Sequence, residues 1–196
     1  ELVAVLRILR YNKWRRWINN VAISIIGLPA ARLLLLPVTV YYASVCEANN
    51  LGILNWFSFP VWMEWLLGAL MLDYGIYFWH RLNHIWPFLW RFHNVHHADQ
   101  DMDISTAIRF HIGEMLMSIP FRLLVITASG VSPLLILVYE IVFEAATLFH
   151  HSNIKLSLDL ERVLAFFIIT PRQHGIHHSI VQNETNSNYG TIFNWW

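Results

Sequence analysis

Residues 112–151 read IGEMLMSIPFRLLVITASGVSPLLILVYEIVFEAATLFHH and contain two apolar stretches separated by a turn signal. The stretches 112–130 and 133–151 each come close to the about 20 residues that a helix needs to cross a bilayer. Between them, Ser129-Gly130-Val131-Ser132-Pro133 combines turn-forming residues with a proline suited to a helix start. The sequence therefore predicts an antiparallel hairpin of two membrane-spanning helices.

Two ionisable residues, Arg122 and Glu140, interrupt the apolar stretches of this hairpin. Both are nine residues away from Val131 in the turn, so they are expected at similar depth and are predicted to pair. The alternative is that one of the two segments lies at the membrane interface, where its charged group reaches water.

The composition supports a membrane protein. Of the 196 residues, 56% are hydrophobic and only 13% are charged, against about 25% charged in ordinary soluble domains. A formal net charge of zero gives no support to nucleic-acid binding. Because Cys46 is the single cysteine, the sequence excludes an intrachain disulfide framework and an iron–sulfur cluster held by this chain's own thiolates.

Two further spans are predicted at 20–46 and 57–82, and the first is expected to kink at Pro29 and Pro37. Four crossings would place 1–19, 83–111 and 152–196 on one side of the membrane. The segment 157–170 is too short and too charged to span, so it is expected to lie along the membrane surface. The N-terminal residues show no cleavable signal pattern, and the topology is therefore expected to depend on the internal spans.

Positive charge is concentrated on one side of this layout. Eleven of the thirteen Lys and Arg residues fall there: Arg7, Arg10, Lys13, Arg15, Arg16, Arg81, Arg91, Arg109, Lys155, Arg162 and Arg172. The positive-inside rule then predicts cytoplasmic termini, in a bacterial inner membrane or the endoplasmic reticulum. The predicted fold is all-α: a single integral membrane domain over 1–196, with about four transmembrane helices and a cytoplasmic, histidine-rich helical cap.

Histidines form three clusters on that same side. They are His80-Arg-Leu-Asn-His84, His93-Asn-Val-His96-His97 and His174-Gly-Ile-His177-His178. Spacings of three and four residues bring two imidazoles to one helical face, where they can share a metal ion. For one cluster alone, interfacial histidines bonded to backbone or lipid headgroups would be an equal explanation, but three clusters on one membrane face favour a shared metal site.

The adjacent histidines indicate two ions rather than one. Neighbouring residues on a helix point about 100° apart, so His96 and His97 are not expected to join His93 on the same ion. Imidazole-rich ligation without thiolates suits iron, zinc, copper or nickel, whereas calcium and magnesium prefer oxygen ligands.

Other residues are candidates for completing or supporting the site. His150 and His151 end the predicted span 133–151, and only one of the two is expected to bind metal. His111 is expected to support a ligand rather than to be one. Asp73 and Glu144 each precede a histidine, His80 or His151, by seven residues on the same helical face. Each carboxylate could orient that imidazole or form structural hydrogen bonds between helices.

The motifs together resemble the fatty acid hydroxylase/sterol desaturase superfamily over roughly residues 70–192. The matching motifs are Asp73…Trp79-His80-Arg81-x-x-His84, Trp90-Arg91-Phe92-His93-x-x-His96-His97, Arg109-x-His111-x-x-Glu114, His151-Ser152-Asn153, Thr170-Pro171-Arg172-x-His174-x-x-His177-His178 and Asn188-Tyr189-Gly190.

This resemblance implies a diiron enzyme that uses O2 and external electrons to hydroxylate or desaturate a lipid chain or sterol from the bilayer. The ligands it implies are His80, His84, His93, His96, His97, His151, His174, His177 and His178. Supporting positions would be Asp73, His111, Glu114, Glu144, His150 and Asn188. Two iron ions are expected, and zinc could occupy the site as a substitute.

Two departures from the family pattern shape further expectations. The sequence has no room for a fused cytochrome b5 domain, so electrons are expected from a partner such as cytochrome b5 or ferredoxin with a reductase. The chain also stops at Trp196, where family members usually continue, so a truncated or naturally short C-terminus is expected.

Two rival functions follow from the same residues. A zinc-dependent membrane hydrolase would use imidazole ligands too, but it usually needs a general-base carboxylate as in HExxH, a motif absent from this sequence. A haem or metal-transport protein would distribute its ligands at matched depths or through the bilayer rather than crowd them on one face.

Overall fold

Helices account for nearly all regular structure in the computed structural model, which describes residues 4–196 apart from the side chains of Ala30 and Ala31. In chain order the α-helices are α1 (Lys13–Ala30), α2 (Leu36–Ala48), α3 (Ile53–Trp56), α4 (Val61–Ile85), α5 (Pro87–His97), α6 (Ile112–Ser129), α7 (Pro133–His151), α8 (Leu158–Leu164), α9 (Pro171–His177) and α10 (Gln182–Thr185). A 3₁₀ turn covers Ile104–Ile108. Pairing between extended segments in the described part is limited to isolated bridges, so the predicted all-α class is confirmed.

The first span is longer than the predicted 20–46. A π-helical segment, Ala31–Leu35, joins α1 to α2, so helical structure runs from Lys13 to Ala48. Pro29 lies in the last turn of α1 and Pro37 in the first turn of α2. A proline removes one backbone hydrogen bond and crowds the carbonyl four residues earlier. The π segment between the two prolines accommodates this change without ending the helix.

The hairpin of α6 and α7 has the predicted turn. Gly130 ends α6 in the left-handed conformation, with φ of 73°, which glycine adopts at little cost. Ser132 begins α7, and its hydroxyl accepts a hydrogen bond from the Leu135 amide. Arg122 and Glu140 form an ion pair across the hairpin, which confirms their predicted pairing.

Three helical stretches within residues 4–196 are long and apolar enough to cross a membrane: Lys13–Trp56, α6 and α7. The predicted span 57–82 corresponds to α4, which is 25 residues long but less apolar because Glu64 and Asp73 lie on it. Residues 57–60 are not helical. Helix α4 starts directly after Pro60 because a residue before proline is biased away from helical geometry.

The loops divide between two opposite ends of the helix bundle. At one end the Asn55 side chain donates to the Gly130 carbonyl at 3.2 Å, which joins the loop before α4 to the turn of the hairpin. At the other end the N-terminal segment meets the later loops, with Leu6 donating to the Asn153 carbonyl at 3.0 Å and Arg10 donating to Asp101 at 2.6 Å. The segments predicted to share a side are therefore neighbours in space.

Apolar side chains face outward on the long helices, among them Ile18, Ile25, Leu33, Trp62, Leu124 and Ile141. The interior instead buries many polar groups, including Asn20, Thr39 and Asn83. An apolar exterior around a partly polar interior suits a lipid environment. Helix α8 and the residues after it expose Leu158, Phe166 and Phe167, in the segment predicted to lie along the membrane surface.

Candidate metal centre

Nine imidazoles gather into two clusters at the end of the bundle that holds the N-terminal segment. One cluster contains His80, His84, His93, His97 and His177, and the other contains His96, His151, His174 and His178. Within each cluster, one ring nitrogen from every residue lies within 4.8 Å of the others. These are the nine histidines predicted as ligands, and the structure brings all of them together.

Helical geometry explains how each motif divides between the clusters. Residues four apart stay together, as with His93 and His97 on α5 or His174 and His178 at the end of α9. The histidine three residues after the first of each motif, His96 or His177, turns to the opposite cluster. Each HxxHH motif therefore supplies both clusters.

The distances between imidazoles fit coordination of an ion. The Nε2 atom of His177 lies 3.0 Å from Nε2 of His80. In the second cluster, Nε2 of His151 lies 3.0 Å from Nε2 of both His96 and His174. Two nitrogens bound at about 2.1 Å to one ion, at right angles, lie about 3.0 Å apart.

Several of these ring nitrogens are buried without a hydrogen-bond partner among residues 4–196. They include both nitrogens of His84, both nitrogens of His178 and Nδ1 of His97. A buried, unsatisfied polar atom is costly, and a metal ion would satisfy the ring nitrogens that face it. Burial lowers the pKa of His93, His174 and His178, and the neighbouring imidazoles lower it further. Their rings are therefore neutral near pH 7 and able to bind an ion.

Five of the nine clustered imidazoles are held in orientation through Nδ1. The contacts of Nδ1 are His93 to Glu114 Oε1 at 2.9 Å, His80 to Tyr189 O at 2.8 Å, His177 to Ser187 O at 2.7 Å, His151 to Thr147 O at 2.8 Å and His96 to Arg109 O at 3.3 Å. Such contacts fix the tautomer and turn Nε2 toward a metal. Four of the five acceptors are backbone carbonyls, which residue identities do not reveal.

Asp73 does not orient His80; it takes the predicted alternative of structural hydrogen bonds between helices. Its buried carboxylate accepts hydrogen bonds from the Tyr139 hydroxyl, the Trp196 indole and the amides of Ile192 and Phe193. Asp73 therefore holds the C-terminal segment 187–196 against the bundle. That segment supplies the Ser187 and Tyr189 carbonyls that orient two imidazoles.

Glu144 also takes the structural alternative, and His111 caps a helix rather than supporting a ligand. Glu144 pairs with Arg32 at 3.0 Å and not with His151, because Arg32 enters from the π segment of the first span. His111 begins α6 as its N-cap, with Nδ1 accepting from the Gly113 amide at 2.9 Å, so this nitrogen is used in capping the helix.

Asn188 and His150 lie beside the clusters. Asn188 has a positive φ of 50°, and its side chain donates to the Ser187 hydroxyl at 3.1 Å, which shapes the turn before Tyr189. His150 bonds through Nδ1 to the Thr191 carbonyl at 3.1 Å, and its ring centroid is 4.0 Å from that of His174.

A buried polar network near α5 was missed by the sequence analysis. Arg16 on the first span forms ion pairs with Asp99 at 2.8 Å and Asp103 at 2.9 Å. Burial would raise the pKa of Asp99, but hydrogen bonds from Arg16, Asn20 and Thr106 lower it. The sequence did contain a signal for this network. Three acidic residues directly follow an HxxHH motif on a side of the protein rich in Lys and Arg: Asp99, Asp101 and Asp103.

A cavity of about 140 Å³ adjoins both clusters. Its lining includes His80 and His93 from the first cluster and His96, His151 and His174 from the second. Away from the histidines, the cavity continues between the long helices past apolar side chains such as Ile76, Met115 and Phe143. A hydrocarbon group inside this cavity would lie beside both imidazole clusters.

Comparison with known proteins finds relatives that hydroxylate lipids. The chain is 30% identical to the ornithine lipid hydroxylase OlsE of Rhizobium tropici over 71% of this chain and 41% of that protein. It is 26% identical to alkylglycerol monooxygenase of Homo sapiens over 79% of this chain and 33% of that protein. It is 29% identical to cholesterol 25-hydroxylase of Rattus norvegicus over 67% of this chain and 43% of that protein.

The chain thus spans between a third and a half of the length of these curated relatives. No solved structure matches it. The family model for fatty acid hydroxylase matches residues 65–196, the region that contains all nine clustered histidines and most of the cavity. The chain belongs to the fatty acid hydroxylase family.

Proposed function

We propose that this protein is a membrane-bound diiron oxygenase that hydroxylates or desaturates an alkyl chain or sterol lipid. The observation that carries the proposal is the opening of two buried imidazole clusters onto one largely apolar cavity. In the hydroxylation reaction one C–H bond becomes C–OH, and the second oxygen atom of O2 leaves as water. Two electrons and two protons balance the reaction.

The nine clustered histidines would hold the two ions, five around one and four around the other. Two bound iron ions, reduced by the external electrons, would activate O2 for the oxidation of an unactivated C–H bond. The protein positions the ligands through Glu114 and the backbone carbonyls. The family resemblance supports iron, and zinc could replace it in the same imidazole set.

The cavity would bind the substrate chain and keep water from the reacting carbon. Aromatic side chains line it, including Trp79, Phe110 and Phe143. Such walls contact hydrocarbon favourably and offer water few hydrogen-bond partners. Ornithine lipids, alkylglycerols and cholesterol, for which the relatives are named, are the first substrates to test.

We also propose that a single domain over 1–196 crosses the membrane four times. Helix α4 would be a complete span in addition to the three more apolar stretches, and both imidazole clusters would lie on the cytoplasmic side. The predicted cytoplasmic segments lie together at the end of the bundle that contains the clusters, and they carry most of the basic residues. Location in a bacterial inner membrane or the endoplasmic reticulum is consistent with this charge pattern.

Electrons would come from cytochrome b5, or from ferredoxin with a reductase. Arg81 and Arg91 are exposed on the two helices that carry five of the nine clustered histidines. They offer a cationic surface near the metal site to an acidic electron carrier.

The test combines metal analysis with an oxygen assay. Protein reconstituted in lipid nanodiscs with ferrous iron should bind about two ions per chain and consume O2 only when a reductant and a lipid substrate are present. Mass spectrometry should find a lipid product gaining one oxygen atom or losing two hydrogens. Native zinc, lipid hydrolysis and no reductant-dependent O2 consumption would support the hydrolase instead.

A further inference from the structure

The cavity beside the histidines ends in a charged pair. Arg122 on α6 and Glu140 on α7 form an ion pair, and both side chains line the same cavity as His151. Glu140 precedes His151 by eleven residues on α7, which places it about 16 Å away at about 1.5 Å per residue. The cavity therefore has a histidine end and an ion-pair end.

The ion-pair end is difficult to explain as a packing device. The side chains of Arg122 and Glu140 are only 18% and 9% exposed, within two helices apolar enough to span a membrane. Ionisable groups at such depth are costly and usually functional, and well-packed apolar residues often replace a buried ion pair without loss of stability. In addition, Arg122 Nε is buried without a hydrogen-bond partner among the described residues.

The charges at this end of the cavity cancel. Arg122 is neutralised by Glu140, and Arg32 by Glu144 at 3.0 Å. A carboxylate or phosphate on the ligand would gain little from arginines already paired and would be repelled by Glu140. A neutral hydroxyl suits the pair better, because it can accept from the arginine and donate to the carboxylate at the same time.

Much of the remaining lining is apolar. Leu36, Ile76, Met115 and Phe143 line the cavity together with the ion pair and the histidines. This combination fits a molecule with one polar terminus and a hydrocarbon body.

We propose that the cavity selects an uncharged amphiphile with a hydroxyl group, which binds Arg122 and Glu140 while the hydrocarbon end lies beside the imidazole clusters. The orientation rests on the proposed oxygenase function and predicts oxidation about 16 Å from the hydroxyl. Recognition of the hydroxyl by the ion pair requires neither metal nor O2.

Binding is tested with three probes that share one chain and differ at its end: hexadecanol, hexadecane and hexadecanoate. Delipidated, metal-free protein in detergent is incubated with equimolar probes and examined by native mass spectrometry. Hexadecanol should be retained over each of the others by at least about tenfold, which corresponds to about 1.4 kcal/mol, as expected for hydrogen bonds to charged groups. Equal retention of hexadecane, or a preference for hexadecanoate, would overturn the proposal.

Variants at the ion pair give a change of preference that a purely structural role would not produce. Glu140→Gln leaves Arg122 as an unneutralised cation, so hexadecanoate should replace hexadecanol as the preferred probe. Glu161→Gln is the matched control, because Glu161 also pairs with an arginine, Arg172 at 2.8 Å, but neither side chain lines the cavity, and it should keep the preference for hexadecanol. An unchanged preference in Glu140→Gln would contradict the proposal.

A double variant covers the case in which Glu140→Gln fails to fold. Arg122→Met with Glu140→Met replaces the pair by apolar side chains, and its folding is checked by thermal unfolding. It should retain hexadecane and hexadecanol equally, whereas a persisting preference for hexadecanol would place the hydroxyl site elsewhere.

Turnover separates the two proposals. If the iron-loaded protein selects hexadecanol but consumes no O2, the oxygenase function fails while hydroxyl recognition stands. If it is active, hexadecanol should be oxidised toward its methyl end, and oxidation beside the hydroxyl would overturn the proposed orientation.

Discussion

His96 and His97 are neighbours in sequence but belong to different imidazole clusters. Replacing either with alanine should therefore remove ligands from different ions. We expect His96→Ala and His97→Ala each to lower bound iron from about two to about one per chain and to abolish lipid oxidation. Iron content is measured by inductively coupled plasma mass spectrometry after dialysis against a chelator.

The matched control for these variants is His111→Asn. Asparagine keeps the N-cap function that His111 serves at α6, and His111 lies in neither cluster. This variant should keep both ions and most of the activity. Two ions retained in His96→Ala or in His97→Ala would contradict the ligand assignment.

Glu114 orients His93 without being a proposed ligand. Its carboxylate is buried and lies 2.9 Å from Nδ1 of His93. Glu114→Ala should weaken iron binding or activity by about 10- to 100-fold, the usual effect of removing such a partner. Glu114→Gln keeps an oxygen acceptor for the imidazole and should lose much less. Equal losses in iron titrations of the two variants would show that Glu114 does not act through His93.

At the residue scale, the sequence predicted the clustered histidines but not most of the groups that orient them. Spacings of three and four were sufficient for His93, His96 and His97, because the helix alone determines their directions. The carbonyl that orients His80 lies 109 residues away in sequence, and the carbonyl that orients His177 lies 10 residues away. Every residue has a carbonyl, so no residue type marks those positions.

The C-terminal segment 187–196 acts as one element that is fixed by Asp73. Asp73→Asn replaces a carboxylate that accepts four hydrogen bonds by a group that can accept at only one atom. We expect faster deuterium uptake in this segment, measured by hydrogen exchange mass spectrometry, and weaker retention of iron. Glu47→Gln, at an exposed site near the opposite end of the bundle, is the control and should change neither. Unchanged uptake in Asp73→Asn would show that the segment is held by other contacts.

The first span is joined to the loop after α5 by the Arg16 network. Arg16→Met leaves Asp99 and Asp103 buried without their cation, and it should destabilise the protein by about 3–5 kcal/mol near neutral pH. Arg15→Met, at the exposed neighbouring position, is the control and should have little effect. Thermal unfolding in detergent measures both variants.

The pH dependence of this loss has a defined sign. In the wild type the pKa of Asp99 lies below its ordinary value of 3.8, so its stabilising contribution is present above that value and is lost as pH falls through the folded pKa. Without Arg16, burial favours the protonated form of Asp99. The difference between Arg16→Met and wild type should therefore shrink on acidification, and a difference that grows would contradict the network.

At the element scale, apolar length and turn residues predicted the hairpin well. Gly130 and Ser132 fix the ends of α6 and α7 through local backbone geometry and capping, which depend on few neighbours. The first span was less predictable, because two prolines can end a helix, bend it or be absorbed by a π segment. Arg32 lies on that segment and reaches Glu144, and the spacing of residues along the sequence could not identify this partner.

For the whole molecule, the charge pattern and the contacts between loops divide the protein into two ends, which predicts an orientation in the membrane. Glu47 and Asn183 are exposed at opposite ends. Glu47→Cys and Asn183→Cys therefore provide single labelling sites, while the native Cys46 is fully buried and should react only after denaturation. A membrane-impermeant maleimide is applied to intact cells and to inverted membrane vesicles.

If the imidazole clusters face the cytoplasm, Asn183→Cys should be labelled only in inverted vesicles and Glu47→Cys only in intact cells. The physical reason is the excess of Lys and Arg at the end of the bundle that holds the clusters, which resists transfer across the membrane during insertion. The opposite labelling pattern would reverse the orientation. Labelling of both cysteines from the same side would mean an even number of crossings between them. That result would contradict the proposed four crossings, because complete spans at α4, α6 and α7 place positions 47 and 183 on opposite faces. Helix α4, the least apolar of the three, would then be the first candidate for a helix that does not span.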